Sequence, residues 1–229
     1  RPSRPRGNLR DADALSTADT AWLVSEGRRL GRGLTGGLVT FGEVGIGNTT
    51  VAAALTCALT GLAPEAAGGL GAGSDTDILT TKIAIVDAAL RRTGLGPGNR
   101  TAVDRPAPAP KGTAADPLEV LAKLGGPEIA VLSGVALGAA ETGHAIVLDG
   151  LATSVAALLA CRIEPAVQSY LIAGQVSREQ AHEVVLRQLG LEPILRLRLR
   201  SGEGVGATLA ASLLLQAIQT RARTGRTRH

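Results

Sequence analysis

Three times in this chain a short apolar run ends in a glycine turn that opens onto a helix-forming stretch. That recurrence limits the fold more than any other feature. GGLVTF (36–41) runs into GEVGIGNTT (42–50) and then into small apolar residues near 50–60. AIVLDG (145–150) runs into 151–162, and the alternating PILRLRLR (193–200) delivers SGEGVGA (201–207) to a last helix at about 207–220. Strand, glycine turn, helix is the order of an α/β unit. The expected fold class is therefore α/β: a mostly parallel, Rossmann-like sheet flanked by helices. A ligand site belongs at the carboxyl ends of its strands, where such turns gather.

Other segments fill in this frame. A helical pattern from Ser16 to about Leu34 places Trp22, Leu23, Leu30 and Leu34 on one face, and another near 78–92 turns Ile78, Ile83, Val86 and Leu90 inward. Asp116-Pro117-Leu118-Glu119 is a helix start, with an Asp cap, Pro in the first turn and Glu three residues after the cap. Gly126-Pro127-Glu128 restarts a helix whose body, 129–140, is almost wholly apolar and belongs against a sheet. Ser177 and Gln180 form a capping box for a helix at 178–189. Residues 64–76 read as a Gly/Ala-rich loop, and 94–115, with four of the eleven prolines, as a mobile loop. The domain reading is a flexible lead-in at 1–18, one α/β domain at 19–220 and a basic tail at 221–229.

Trp22, Phe41 and Tyr170 are the only aromatics, so Ala, Leu, Val and Ile must pack the core. With no methionine and Arg1 in first place, the 229 residues are expected to be an excerpt, a processed product or one module of a longer protein. The net charge of +4 misleads: four arginines within 1–10 and four within 221–229 leave residues 11–220 at −4. Basic tails and almost no aromatic residues exclude a nucleic-acid platform. No segment has the unbroken apolar length of a membrane span, and no signal-peptide pattern is present. Cys57 and Cys161, far apart in apolar stretches, read as buried thiols in a reducing cytoplasm.

Chemistry concentrates in two turns, GEVGIGNTT (42–50) and GEGVG (202–206), each placing one carboxylate, Glu43 or Glu203, just before a helix. Glycines let backbone N–H groups approach a ligand, and a helix N-terminus favours a phosphate. A carboxylate there suits a sugar hydroxyl, or a proton taken from a nitrogen. Neither turn carries the Gly-Lys-Ser/Thr ending of a P-loop or the dinucleotide fingerprint. Read blandly, both glutamates are solvated loop acids, Lys82 is a surface lysine and Asp149 caps the helix at 151–162. Arg196, Arg198 and Arg200 are the wet face of a strand, phosphate contacts or edge protection. His144, His182 and His229 have no carboxylate or cysteine at ligand spacing, so no metal is expected.

GEVGIGNTT at 42–50, LGGPEIA at 124–130, VLDG at 147–150 and GEGVGA at 202–207 together resemble the nicotinate-nucleotide–dimethylbenzimidazole phosphoribosyltransferase family, in its order and spacing, from about Leu34 to Gln219. The resemblance implies transfer of phosphoribose from nicotinate mononucleotide to a benzimidazole nitrogen, giving the nucleotide of the cobalamin lower ligand with inversion at the sugar carbon. It implies Glu203 as general base, its pKa raised by partial burial, and Glu43 beside it. Gly45, Gly47, Asn48, Thr49, Gly204 and Gly206 would hold the ribose phosphate, with Lys82 adding charge and Asp149 binding a ribose hydroxyl. No cofactor or metal is implied, and the partners are the two small-molecule substrates and a second copy of the chain as homodimer. Departures concern the acceptor base: the family's N-terminal region is absent, Ser201 stands in place of a leucine, Val44 of a methionine and Leu151 of an aromatic. A non-catalytic nucleotide-binding module of the same fold is the alternative.

Overall fold

A computed structural model describes residues 6–68, 76–96, 115–199 and 201–224. Most of the 94–115 loop, part of the 64–76 loop, Arg200 and the end of the basic tail lie outside the described residues. Three short strands, β1 (Leu38–Thr40), β2 (Ala145–Leu148) and β3 (Leu171–Ala173), pair in parallel in the order β1-β2-β3. Val39 lies opposite Ile146, and Val147 opposite Ile172. A parallel sheet must be covered on both faces, and β2 shows how. Ile146 and Leu148 enter the main core, whereas Val147 faces a smaller cluster with Ala207, Ala210 and Ala211.

Those alanines belong to α9 (Val205–Arg223), which covers one face together with Leu195. The main core lies on the other face, where α2 (Asn48–Thr60) and α7 (Leu151–Ile163) are buried along most of their length. Around them pack α3 (Pro64–Ala67), α4 (Thr76–Thr93), α5 (Pro117–Leu124), α6 (Pro127–Glu141) and α8 (Gln180–Leu189). Asp116 caps α5 as its sequence suggests, its carboxylate accepting from Leu118 N at 3.0 Å. Small residues substitute for missing aromatics by letting backbones close up. Where α1 (Thr17–Arg32) crosses α6, a Cβ on Gly134 would sit 2.1 Å from the Val24 carbonyl oxygen, and one on Gly138 2.1 Å from that of Arg28.

Several expectations are corrected. On α1, Leu23, Val24, Gly27 and Gly31 are buried, while Trp22 is 42% and Leu30 49% exposed. The glycines permit the contact with α6, so the buried stripe runs through them and not through the largest side chains. Ile78 is exposed on α4, and Val86 and Leu90 face inward. Residues 193–199 do not form a strand: among the described residues of this run only Leu195 bridges, in parallel, to Gln175. Leu195 packs against the α9 cluster, but Leu197 is 52% exposed and Arg198 has φ of 51°, so the extended path breaks. The strand that was not foreseen is β3, which follows a 3-10 turn at Pro165–Tyr170. Residues 6–16, read as lead-in, are instead anchored: Leu9, Ala14 and Leu15 are buried, and Arg92 bonds Asp13 at 2.7 Å.

Candidate active site

The glycine turns end where the sheet ends. β1 leads through Phe41, whose N–H donates to Val147 O at 2.9 Å, into the turn carrying Glu43. β2 leads directly to Asp149. Beyond residue 199 the chain returns to the same edge with Ser201, Gly202 and Glu203. The two turns meet backbone to backbone: a Cβ on Gly42 would lie 2.8 Å from the Glu203 carbonyl oxygen, and one on Gly204 3.1 Å from Gly42 Cα. Only glycine allows that approach, and Gly204 also holds φ at 88°. One open cleft results, lined by Glu43, Asn48, Thr49, Asp149, Gln175 and Glu203 among others. The two glutamates that the sequence singled out therefore share a single site.

Their surroundings differ. Glu43 is half-buried, and Asn48 Nδ2 donates to its Oε2, while its Oε1 has no hydrogen-bond partner among the described residues. Burial pushes its carboxyl above the usual carboxylate range, against the pull of Asn48. Gly45 leaves room for it in this position, since a Cβ there would meet Glu43 Oε1 at 2.6 Å and push the carboxylate aside. Gly47, at φ 81°, is the N-cap of α2 and leaves the helix's first N–H groups free of any side-chain cap. Glu203 is exposed, so the partial burial expected for it is not found. Its backbone is in the left-handed region, φ 65°, which costs a non-glycine residue about 1 kcal/mol.

Asp149 is 3% exposed and engaged with protein donors: Oδ2 accepts from Gly204 N at 3.1 Å, and Oδ1 from Ala207 N at 3.2 Å and Gln175 Nε2 at 3.0 Å. It thus caps α9, while α7 starts at Gly150 without a side-chain cap. Gly206 is small for this reason; a Cβ would lie 2.4 Å from Gln175 and 2.6 Å from Asp149 Oδ1. Lys82 is buried, with Nζ 3.7 Å from Glu179 Oε1, and it is Glu179 that lines the cleft. Burial drives each toward its neutral form, and their mutual attraction opposes this.

Residues 175–179 were missed as a functional stretch, because Ser177 was read only as a helix cap. The helix starts later, at Gln180, because Ser177 is bound to His182: its N–H donates to Nδ1 at 2.9 Å and its Oγ lies 3.0 Å from the same nitrogen. That places the imidazole proton on Nε2, which donates to Ser154 Oγ at 2.9 Å. The signal available was LIAGQ (171–175), a fourth apolar run ending in glycine. Burial lowers the His182 pKa from 6.5 to about 4. Between those values the unfolded chain takes up a proton that the folded chain refuses, so stability is full above pH 6.5 and falls as pH drops toward 4. The loss approaches about 3 kcal/mol. Urea midpoints at about pH 7 and about pH 4.5 should show it, and His182→Gln should flatten the dependence.

Among the described residues no cluster of three or more His, Cys, Asp or Glu side chains could hold a metal, and no helix is long and apolar enough to cross a membrane. Cys57 and Cys161 are free and buried, each thiol pushed up to about 12.

Residues 2–227 match the family model described as phosphoribosyltransferase. The chain belongs to that family. Among its relatives, nicotinate-nucleotide–dimethylbenzimidazole phosphoribosyltransferase of Desulforudis audaxviator is 41% identical over 215 residues, covering 92% of this chain and 56% of that protein. The enzyme of the same name from Escherichia coli is 38% identical over 217 residues, with 93% and 56% covered. The crystal structure of CobT from Thermus thermophilus superposes with a TM-score of 0.80 at 38% identity, over 93% of this chain and 60% of that one. The chain thus spans a little over half the length of the curated relatives it matches. Its fold and the GEVGIGNTT, VLDG and GEGVGA turns lie within the matched region.

Proposed function

We propose that the cleft transfers phosphoribose from nicotinate mononucleotide to 5,6-dimethylbenzimidazole, releasing nicotinate and forming α-ribazole phosphate, as the names of the relatives indicate for them. The observation that carries this reading is the meeting of the Glu43 and Glu203 turns across one cleft at the strand ends. A benzimidazole nitrogen attacks the ribose C1′ from the face opposite the nicotinate, so the new bond forms with inversion. The C1′–N bond to the pyridine ring breaks, and its electron pair returns to the ring nitrogen. Glu203 takes the proton that the benzimidazole N–H gives up. Glu43, held by Asn48, favours the positive charge that builds on the sugar as the bond opens.

The phosphate is assigned to the open N-terminus of α2, with Gly45, Gly47, Asn48 and Thr49, whereas Gly204, whose N–H is bonded to Asp149, and Gly206, packed on Gln175 and Asp149, set the position of the Glu203 turn. Asn48 and Thr49 line the cleft, which supports their part. Asp149 has three protein donors already, so in this reading it positions the Glu203 turn and offers a ribose hydroxyl its remaining lone pair. Lys82, buried behind Glu179 and not itself in the cleft lining, adds charge to the site only through that residue. Incubating the chain with both substrates and detecting α-ribazole phosphate tests the assignment; absence of product would contradict it.

One feature favours the second reading, a mononucleotide-binding module without turnover. Glu203 is exposed, and Ile46 beside the cleft is fully exposed, so no described residue covers an acceptor base there. Mononucleotide binding without product would select that reading. We also place the protein in the cytoplasm, where its two free thiols persist, and propose a homodimer. Leu209, Leu213, Leu215 and Ile218 leave α9 with exposed apolar surface suited to such a contact. Sedimentation at micromolar concentration should give twice the chain mass of 23.2 kDa; a monomer there would refute the dimer.

A further inference from the structure

Apart from the N–H groups at the start of α2, which are assigned to the phosphate, the cleft is poorly suited to a second negative charge on its substrate. Glu43, Asp149, Glu179 and Glu203 all line it, and the buried Lys82 is engaged with Glu179. The cation on its wall is Arg178, and Arg178 belongs to two surfaces at once. With Ser177 it also lines an adjoining bowl of about 750 Å³, whose other polar walls are Arg196 and Arg198. The chain is shaped to separate the two: Arg198 sits at φ 51°, and beyond it Leu199, Ser201, Gly202 and Glu203 face the cleft. Arg198 and Glu203 are the two non-glycine residues with positive φ among the described residues, and they flank this boundary.

Arg196 Nη1 bonds Glu183 Oε1 at 3.1 Å, an exposed pair worth little in water. Arg178 and Arg198 make no hydrogen bond or ion pair with another described residue. Three guanidinium groups around one concavity, two of them uncommitted, match the planar, bidentate recognition of phosphate or carboxylate. Beside four carboxylates they also supply the attractive field that would draw an anion in.

We propose that the bowl lined by Arg178, Arg196 and Arg198 is an anion subsite that holds the ring carboxylate of the substrate, while the sugar lies in the cleft and the phosphate at the N-terminus of α2. The subsite rests on the phosphoribosyl-transfer reading of that cleft. It is tested by calorimetric titration of the chain with nicotinate mononucleotide, with nicotinate riboside, which lacks the phosphate, and with nicotinamide mononucleotide, which lacks the carboxylate. The Arg178→Gln/Arg198→Gln double variant is compared with wild type and with a charge-matched Arg221→Gln/Arg223→Gln control on the far end of α9. The double variant should bind nicotinate mononucleotide about tenfold more weakly or worse, and the control should bind as wild type does. The loss should persist for nicotinate riboside and vanish for nicotinamide mononucleotide, which lacks the carboxylate; a loss that vanishes only for the riboside would overturn the assignment. Unchanged affinity, equal losses for all three ligands, or an equal loss in the control would overturn the subsite. If those results accompany normal product formation by wild type, only the subsite falls; if wild type binds none of the three, the reading of the cleft falls with it.

Discussion

Replacing Glu203 by Gln should lower the turnover of nicotinate mononucleotide and 5,6-dimethylbenzimidazole by about 10²–10⁴-fold, the usual contribution of a positioned general base. The amide keeps the size of the carboxylate, so the turn at 202–206 should survive, and the exposed side chain has no core contact to lose. Binding of the mononucleotide should change little, because the base acts on the acceptor and not on the sugar. The expected signature is therefore a fall in kcat with KM for the mononucleotide nearly constant. A parallel fall in binding would make Glu203 a substrate ligand, and unchanged kcat would remove it from the chemistry altogether.

Asp149→Ala should do more structural harm, although Asp149 takes no proton in the proposed reaction. Its carboxylate bonds Gly204 N, Ala207 N and Gln175 Nε2, and all three are buried. Removing it strips the N-terminus of α9 of its cap and leaves three buried donors unpaired, each costing about 1–3 kcal/mol. Partial relaxation reduces the total, so a loss of about 3 kcal/mol in urea unfolding is the expected result. Asp149→Asn should rescue poorly, because its amide would present a donor to Gly204 N or to Ala207 N. Activity should fall in both variants, since the same bonds place the Glu203 turn against Gly42. Wild-type stability in either variant would mean that the turn is held by something else.

How much of this was legible in the sequence depends on where the information resides. Glu43 and Glu203 were found because the backbone geometry they need is written locally, as glycines at 42, 45, 47, 204 and 206. The parallel α/β class followed from the same punctuation. What was misread depends on partners distant in the chain. Trp22 and Leu30 lie outside because α6 meets α1 through glycines, which hydropathy does not register. The alternation at 193–200 looked like a strand, but pairing stops at Leu195 and the arginines instead edge a bowl. Asp149 looked like a cap for the helix that follows it, when it caps one that starts at Val205. Gln175 and Glu179 escaped notice, and Ser177 was read only as a cap, because their importance comes from position at the end of a strand the sequence did not announce.

The most direct test is a crystal structure of the chain soaked with nicotinate mononucleotide. The ribose should lie in the cleft with its C1′ between the Glu43 and Glu203 carboxylates and its phosphate or ring carboxylate reaching basic or N–H donors at the rim. A mononucleotide ordered elsewhere on the surface, with those two carboxylates facing only solvent, would contradict the account.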